Sequence, residues 1–248
     1  MNNTDSIKLN YRVSGKGRPV VFLHGFLESI SMWEYLNLSK FQSILIDLPG
    51  HGQSSIDEGE SIDSMAQKVR AVIEEVGIEE YSVVGHSMGG YVGLKLLGND
   101  PKCERLLLLN SNFWADSEKK KIDRFRVSQL VMDKKVPFIK EAIPNLFHDA
   151  SLYERAVEQL IEEASLIEAK AIAICSLAMR DRLDEQKLMT LRKNDVCMIQ
   201  GNNDPIVPSS RMKDLCKEIG IRYHEVASGH MSHIECTEEL NQILNSEV

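Results

Sequence analysis

A mostly parallel, doubly wound α/β sheet is the fold this sequence predicts, on three observations. Short apolar runs recur along the chain, each followed within two residues by Gly, Asp or Asn. Segments of helical period separate them, and one long stretch, about residues 112–192, has helical patterning with no convincing strand. Runs without polar alternation suit strands covered on both faces, and alternation of strand with helix is the mark of a parallel sheet between two helical layers.

In chain order, Ile7–Val13 alternates polar and apolar residues, as a half-exposed strand does, and Gly15-Lys16-Gly17 supplies a turn. Val20–Leu23, Ser43–Ile46, Tyr81–Val84, Leu106–Leu109 and Val196–Ile199 read as buried strands. Ile62, Met65, Ala66, Val69, Val72, Ile73 and Val76 recur at helical spacing, and Gly77 closes that helix. Met88–Leu97 reads as a helix ending at Gly98. The chain then finishes with a helix over Ser209–Ile219, a strand over Arg222–Val226 and a helix over Thr237–Leu244. Within 112–192, Pro137 and Pro144 punctuate several amphipathic helices. Ala156, Leu160 and Ile161 share one apolar face, and Ile172, Cys175, Leu177 and Met179 another. An all-helical insertion between two strands reads as a lid over the strand ends; the alternative is that these helices only flank the sheet. The expected organisation is one domain over 1–248, with a core of 1–111 and 193–248 and a helical cap of about 112–192.

Composition narrows the function. The 248 residues are 43% hydrophobic and 27% charged, values of an ordinary globular protein with enough chain for a buried core. A net charge of -8 argues against a general nucleic-acid binder. Lys119, Lys120, Lys121, Arg124 and Arg126 cluster, and are expected to form a solvated helix face. No apolar run approaches the ~18 residues of a membrane span. Met1-Asn2-Asn3-Thr4-Asp5 lacks the basic start of a secretory signal, and the five scattered cysteines form no Cys-x-x-Cys pair. A cytoplasmic protein is the expectation.

Chemistry is carried by Gly85-His86-Ser87-Met88-Gly89, set between a predicted strand and a predicted helix. This G-x-S-x-G pattern holds a serine on a tight strand-to-helix turn with positive φ, where only neighbours without side chains leave room. The turn presents the Ser87 hydroxyl above a helix N-terminus, whose amides can bind a developing oxyanion. His24-Gly25-Phe26 follows the Val20–Leu23 strand, so the Phe26 and Met88 N–H groups are the candidate oxyanion donors. His24 is expected to brace its loop rather than act as a base. Asp47-Leu48-Pro49-Gly50-His51-Gly52-Gln53-Ser54 reads as a tight turn, with His51 at the surface or bracing the loop.

A nucleophilic serine needs a base, and the base an orienting acid. His230 follows the Arg222–Val226 strand directly after Gly229, in a position to present its ring; His233 is its competitor. His230-x-x-His233 as a metal pair lacks a third ligand. The acid is Asp204, in the turn Gly201-Asn202-Asn203-Asp204-Pro205; the other strand-end position, after Leu106–Leu109, is Asn110, which carries no charge. Trp33, Phe113 and Trp114 suggest an apolar pocket, though each residue is more often plain core.

These segments together resemble the α/β-hydrolase superfamily, from His24 to about Glu239, most nearly the small bacterial esterases, cofactor-free haloperoxidase-like enzymes and enol-lactone or C–C bond hydrolases. The resemblance implies a sheet of about eight strands with a helical cap after the sixth, and the order Ser87, Asp204, His230 as nucleophile, acid and base. It implies a small-molecule substrate cleaved at an ester-like acyl bond, with no cofactor and no metal. C–C hydrolysis, lactone hydrolysis or perhydrolysis through the same residues, and a weakly catalytic binding protein, are the alternatives. Substrate identity and oligomeric state are not readable.

Overall fold

The computed structural model describes residues 9–248; Ile7 and Lys8, the start of the first expected strand, lie outside the described residues, as do Met1–Asp5. The described strands are β1 (Tyr11–Ser14), β2 (Arg18–Leu23), β3 (Phe41–Ile46), β4 (Tyr81–His86), β5 (Cys103–Leu109), β6 (Val196–Gly201) and β7 (Arg222–Val226). They form one sheet in the order β1-β3-β2-β4-β5-β6-β7. Only β1 runs antiparallel to its neighbour. Among the described residues there are thus seven strands, and the helical insertion follows the fifth of them, between Leu109 and Val196, rather than a sixth.

The buried runs have the cause the sequence suggested, because both sheet faces are covered. Val21, Leu23, Val83, Leu106, Leu108, Val196 and Met198 face one apolar cluster. Val20, Phe22, Val84, Leu107, Leu109, Cys197 and Ile199 face another. The first is closed by α1 (Ile62–Val76) and α2 (Met88–Asn99), the second by a short 3-10 turn, Ile30–Tyr35, and by Leu240, Ile243 and Leu244 of the C-terminal helix. Trp33 is fully buried on that second face, edge-on to Phe22 with ring centroids 5.1 Å apart. The α1 helix begins at a reciprocal cap in which Ser61 Oγ accepts from Ser64 N and Ser64 Oγ from Ser61 N, and it ends on Gly77 at φ 79°. Gly98 lies inside α2, one residue short of its end, rather than stopping it.

The insertion consists of α3 (Glu118–Ala142), α4 (Glu154–Leu166), α5 (Ala169–Arg180) and α6 (Gln186–Leu191). Pro137 punctuates the insertion as its position suggested: α3 is two helical segments that meet at a kink at Lys134 (φ -129°, ψ 40°), and Pro137 lies in the first turn of the second. A proline is tolerated there, because the N–H it lacks would have had no partner within the helix. Val131, Ile139, Val157, Leu160, Ala164 and Ile172 give the insertion its own apolar cluster, joined to the sheet edge by Leu27 and Met231. The chain closes with α7 (Ser209–Ile219), the single turn α8 (Ser232–Glu235) and α9 (Thr237–Glu247). No helix among the described residues is long and apolar enough to cross a membrane.

Candidate active site

Parallel register brings the C-terminal strand ends to one edge. Leu23 pairs with Gly85, His86 with Leu109, and Gly201 with Val226, so the loops after β2, β4, β5, β6 and β7 converge there. This edge of a doubly wound sheet is where side chains from several loops can meet. Ser87, Asp204 and His230 do meet.

Ser87 stands between β4 and α2 at φ 48°, ψ -112°. The helix must press onto the sheet to hold this turn: a Cβ on Gly89 would sit 2.1 Å from the Leu23 carbonyl oxygen. The Ser87 Oγ–H donates to His230 Nε2 over 2.9 Å, and His230 Nδ1–H donates to Asp204 Oδ2 over 2.8 Å. Asp204 is buried and accepts throughout: Oδ2 also from Asn110 Nδ2 (3.0 Å) and Gln200 Nε2 (2.8 Å), Oδ1 from the amides of Ile206 (2.8 Å) and Val207 (3.0 Å). Burial alone pushes a carboxyl pKa up, but the His230 ring and these donors outweigh it and hold Asp204 well below the usual carboxylate range.

The loop carrying His230 is tied rather than loose. His230 N donates to Leu146 O (2.7 Å), Gly229 N to Glu235 Oε1 (3.0 Å), and Asn110 Nδ2 to Gly229 O (3.0 Å). The role of Gly229 is close approach, since a Cβ there would lie 2.4 Å from His148 N. Asn110, set aside as an acid for want of charge, instead holds the acid and the base loop together. It does so at φ 45°; with Leu27 (φ 69°) and Ser87 it completes the set of non-glycine residues at positive φ among the described residues. All three lie at this edge. Such backbone strain persists only where surrounding structure over-determines it.

The remaining histidines sort by contact. His24 is buried; its Nδ1–H donates to Gly25 O and its Nε2 accepts from Leu48 N. His51, buried rather than at the surface, accepts from Leu27 N at Nε2, and burial together with His24 pushes its pKa down to about 3. His233 lies on α8 with both ring nitrogens unpartnered, 3.7 Å from Glu28 Oε1, and burial pushes it down to about 3. It makes no hydrogen bond to Ser87, so the geometry selects His230.

One network was missed from sequence. Glu28 is buried behind the serine, where its Oε2 accepts from Gly25 N (2.6 Å) and from His86 Nδ1–H (2.7 Å); His86 Nε2–H donates to the His230 carbonyl (2.9 Å). A carboxylate and a carbonyl both accept, so His86 donates from both nitrogens as an imidazolium. Burial opposes that charge, but Glu28 and the His230 carbonyl outweigh it and raise the pKa of His86. Burial likewise pushes Glu28 up, and His86 more than offsets it, holding Glu28 at about 2. The ion pair thereby joins the Phe26 loop to the His230 loop. The position of His86 beside Ser87 in the motif was a usable signal; Glu28 had none, because its ion-pair partner His86 lies 58 residues away.

A cavity of about 110 Å³ opens on Ser87 and His230, lined by Phe26, Phe138, Leu146, Met179, Ile206 and Met231 among others. Trp33 and Phe113 are core, and Trp114 is stacked under Arg211; none of them lines the cavity. The basic stretch divides. Lys119 and Arg126 are exposed as expected, whereas Lys120 and Arg124 line the cavity. Phe26 lines the cavity with Ser87 and Met88 follows Ser87 in the chain, and neither amide has a hydrogen-bond acceptor among the described residues.

With this geometry in place, comparison with known proteins settles the family. The profile of the alpha/beta hydrolase fold matches residues 18–236. The chain belongs to that family. It is similar to the AB hydrolase superfamily protein YisY of Bacillus subtilis (strain 168), 28% identical over 93% of this chain and 91% of that one. Among solved structures it resembles a thermophilic esterase from Thermogutta terrifontis, at 25% identity, TM-score 0.90, and coverage of 97% and 92% of the two chains. It also shares its fold with the enol-lactonase from Burkholderia xenovorans LB400, at 21% identity, TM-score 0.88, and coverage of 98% and 97%.

Proposed function

We propose that the chain hydrolyses a carboxylic ester, or a closely related acyl bond, of a small molecule, with Ser87 as nucleophile, His230 as general base and acid, and Asp204 as the orienting acid. The observation that carries this is the unbroken line of hydrogen bonds from Asp204 through His230 to the Ser87 hydroxyl, 2.8 and 2.9 Å long. A neutral imidazole fixed by a carboxylate at Nδ1 exposes its Nε2 lone pair to the hydroxyl, which is the arrangement general-base catalysis needs. Ser87 Oγ attacks the acyl carbon as its proton passes to His230 Nε2. The carbonyl oxygen takes the negative charge, and the Phe26 and Met88 amides donate to it. The imidazolium then protonates the leaving alcohol, and water, deprotonated by the same ring, releases the acid and restores Ser87.

The neighbourhood supports the reading. Relatives of the same fold include an esterase and an enol-lactonase, and a lactone is a cyclic ester open to the same attack. The small cavity favours a short acyl group over a long chain. Hydrolysis of 4-nitrophenyl butyrate tests it. Ser87→Ala is expected to lose about four or more powers of ten in kcat/KM with its thermal unfolding little changed; equal rates in the two proteins contradict the assignment.

A further inference from the structure

Apart from Ser87, His230, Tyr91 and the Glu28–His86 pair, the cavity is lined by apolar side chains and two cations, and the nearby acid is shared. Lys120 and Arg124, one helical turn apart on α3, both line the cavity. Arg124 Nε meets Asp116 Oδ2 at 3.2 Å, but Asp116 also serves Arg182, whose Nη1 lies 2.8 Å from Oδ1. Arg182 is buried and stays in place: it donates to the carbonyls of Met179 (2.7 Å) and Trp114 (3.0 Å) and lies 4.1 Å over the Tyr91 ring. One carboxylate is therefore shared by two guanidinium groups. Asp123, the next acid on the helix, is drawn off to Arg126 at 3.6 Å. Glu28, which also lines the cavity, is neutralised by His86. Lys120 Nζ has neither an ion-pair nor a hydrogen-bond partner among the described residues.

An ammonium drawn partly out of water without a counter-ion is costly, and the cost falls when an anion arrives. Burial, with Arg124 adding to it, lowers the pKa of Lys120, and Asp116 and Asp123 offset this only in part. We propose that Lys120, supported by Arg124, receives a carboxylate at the non-reacting end of the substrate, so that the chain selects small esters or lactones bearing one negative charge. A single free ammonium beside an already engaged arginine matches a monoanion better than a phosphate dianion, which would call for more free donors. The proposal rests on the hydrolytic reading of Ser87 for its substrate class, but its recognition step can be measured apart from turnover.

Two matched substrates test it: mono-4-nitrophenyl glutarate, with a carboxylate at the far end, and 4-nitrophenyl valerate, without one. The wild type is expected to prefer the anionic ester by about tenfold or more in kcat/KM, chiefly through KM, as one charge-assisted hydrogen bond provides. Lys120→Met is expected to erase that ratio, Lys120→Arg to keep it, and Lys119→Met, on the exposed face of the same helix, to keep it too. An equal ratio in wild type and Lys120→Met overturns the proposal, and so does a fall as large in Lys119→Met, which would trace the preference to overall charge. Calorimetric titration of Ser87→Ala with monomethyl glutarate separates binding from chemistry. Binding that weakens about tenfold on adding Lys120→Met, with neither ester hydrolysed, keeps the anion site and refutes hydrolysis. Hydrolysis of both esters without charge preference, or binding indifferent to Lys120, refutes the anion site alone.

Discussion

The sheet edge and the helical insertion face each other across the cavity and are built on opposite principles. At the edge, Asp204, Asn110 and the His230 loop are buried and fully hydrogen-bonded, and three non-glycine residues are held at positive φ. In the insertion, α3 is bent at Lys134, carries a proline, and leaves Ile122, Phe125, Leu130 and Met132 exposed. The insertion's side chains at the cavity, Lys120, Arg124, Phe138, Leu146 and Met179 among them, take no part in the hydrogen-bonded line to Ser87. Reacting groups need tight placement, whereas a surface that chooses among substrates has only to present charge and shape. On the proposed reading, bond cleavage belongs to the edge and selectivity to the insertion.

Substitutions at the edge sharpen this division. The largest effect is expected for Asp204→Asn. The amide preserves the shape but cannot hold the Nδ1–H tautomer of His230, and kcat should fall by about four powers of ten. Stopped assays with 4-nitrophenyl butyrate measure it, and a fall below tenfold would mean that His230 is oriented by something else. A smaller effect, on stability, is expected for Glu28→Gln. Breaking a buried ion pair while leaving one partner charged costs roughly 3 kcal/mol.

The pH dependence of that loss follows from the two shifts. Glu28, held at about 2, contributes stability that is complete above its unfolded pKa of about 4.3 and is lost as pH falls towards 2. His86, with its pKa raised, contributes stability complete below its unfolded value of about 6.5 and lost as pH rises through its folded one. The gap between wild type and Glu28→Gln in urea unfolding should therefore be widest between about pH 4.3 and 6.5 and narrow on both sides. A gap independent of pH would show that the pair is not ionised.

What could be read from sequence follows the range of the interactions. Strands β2 to β7 and helix α1 were legible because local pattern defines them: apolar runs, helical spacing and a glycine stop. Ser87, Asp204 and His230 were legible as candidates because each sits in a short motif at a strand end, and the chain brings them into contact. Glu28 with His86 was not, since a buried pair formed across distant loops leaves no periodicity. Lys120 was misread for a related reason. A run of basic residues looks alike whether it meets water or a neighbouring element, and only the packing of α3 turns Lys120 and Arg124 inward while Lys119 and Arg126 stay out. The residue at which α3 breaks, Lys134, was likewise not legible, because Pro137 marks an early turn of a helix but not where the preceding one ends.

The most direct measurement is the mass of the intact protein after exposure to a fluorophosphonate. An activated serine displaces fluoride and retains the phosphonyl group. The wild type is therefore expected to gain one adduct, mapped to Ser87 by peptide analysis, while His230→Ala under the same conditions gains it at least about a thousandfold more slowly. Unmodified wild type, or equal labelling with and without the His230 ring, would contradict the account.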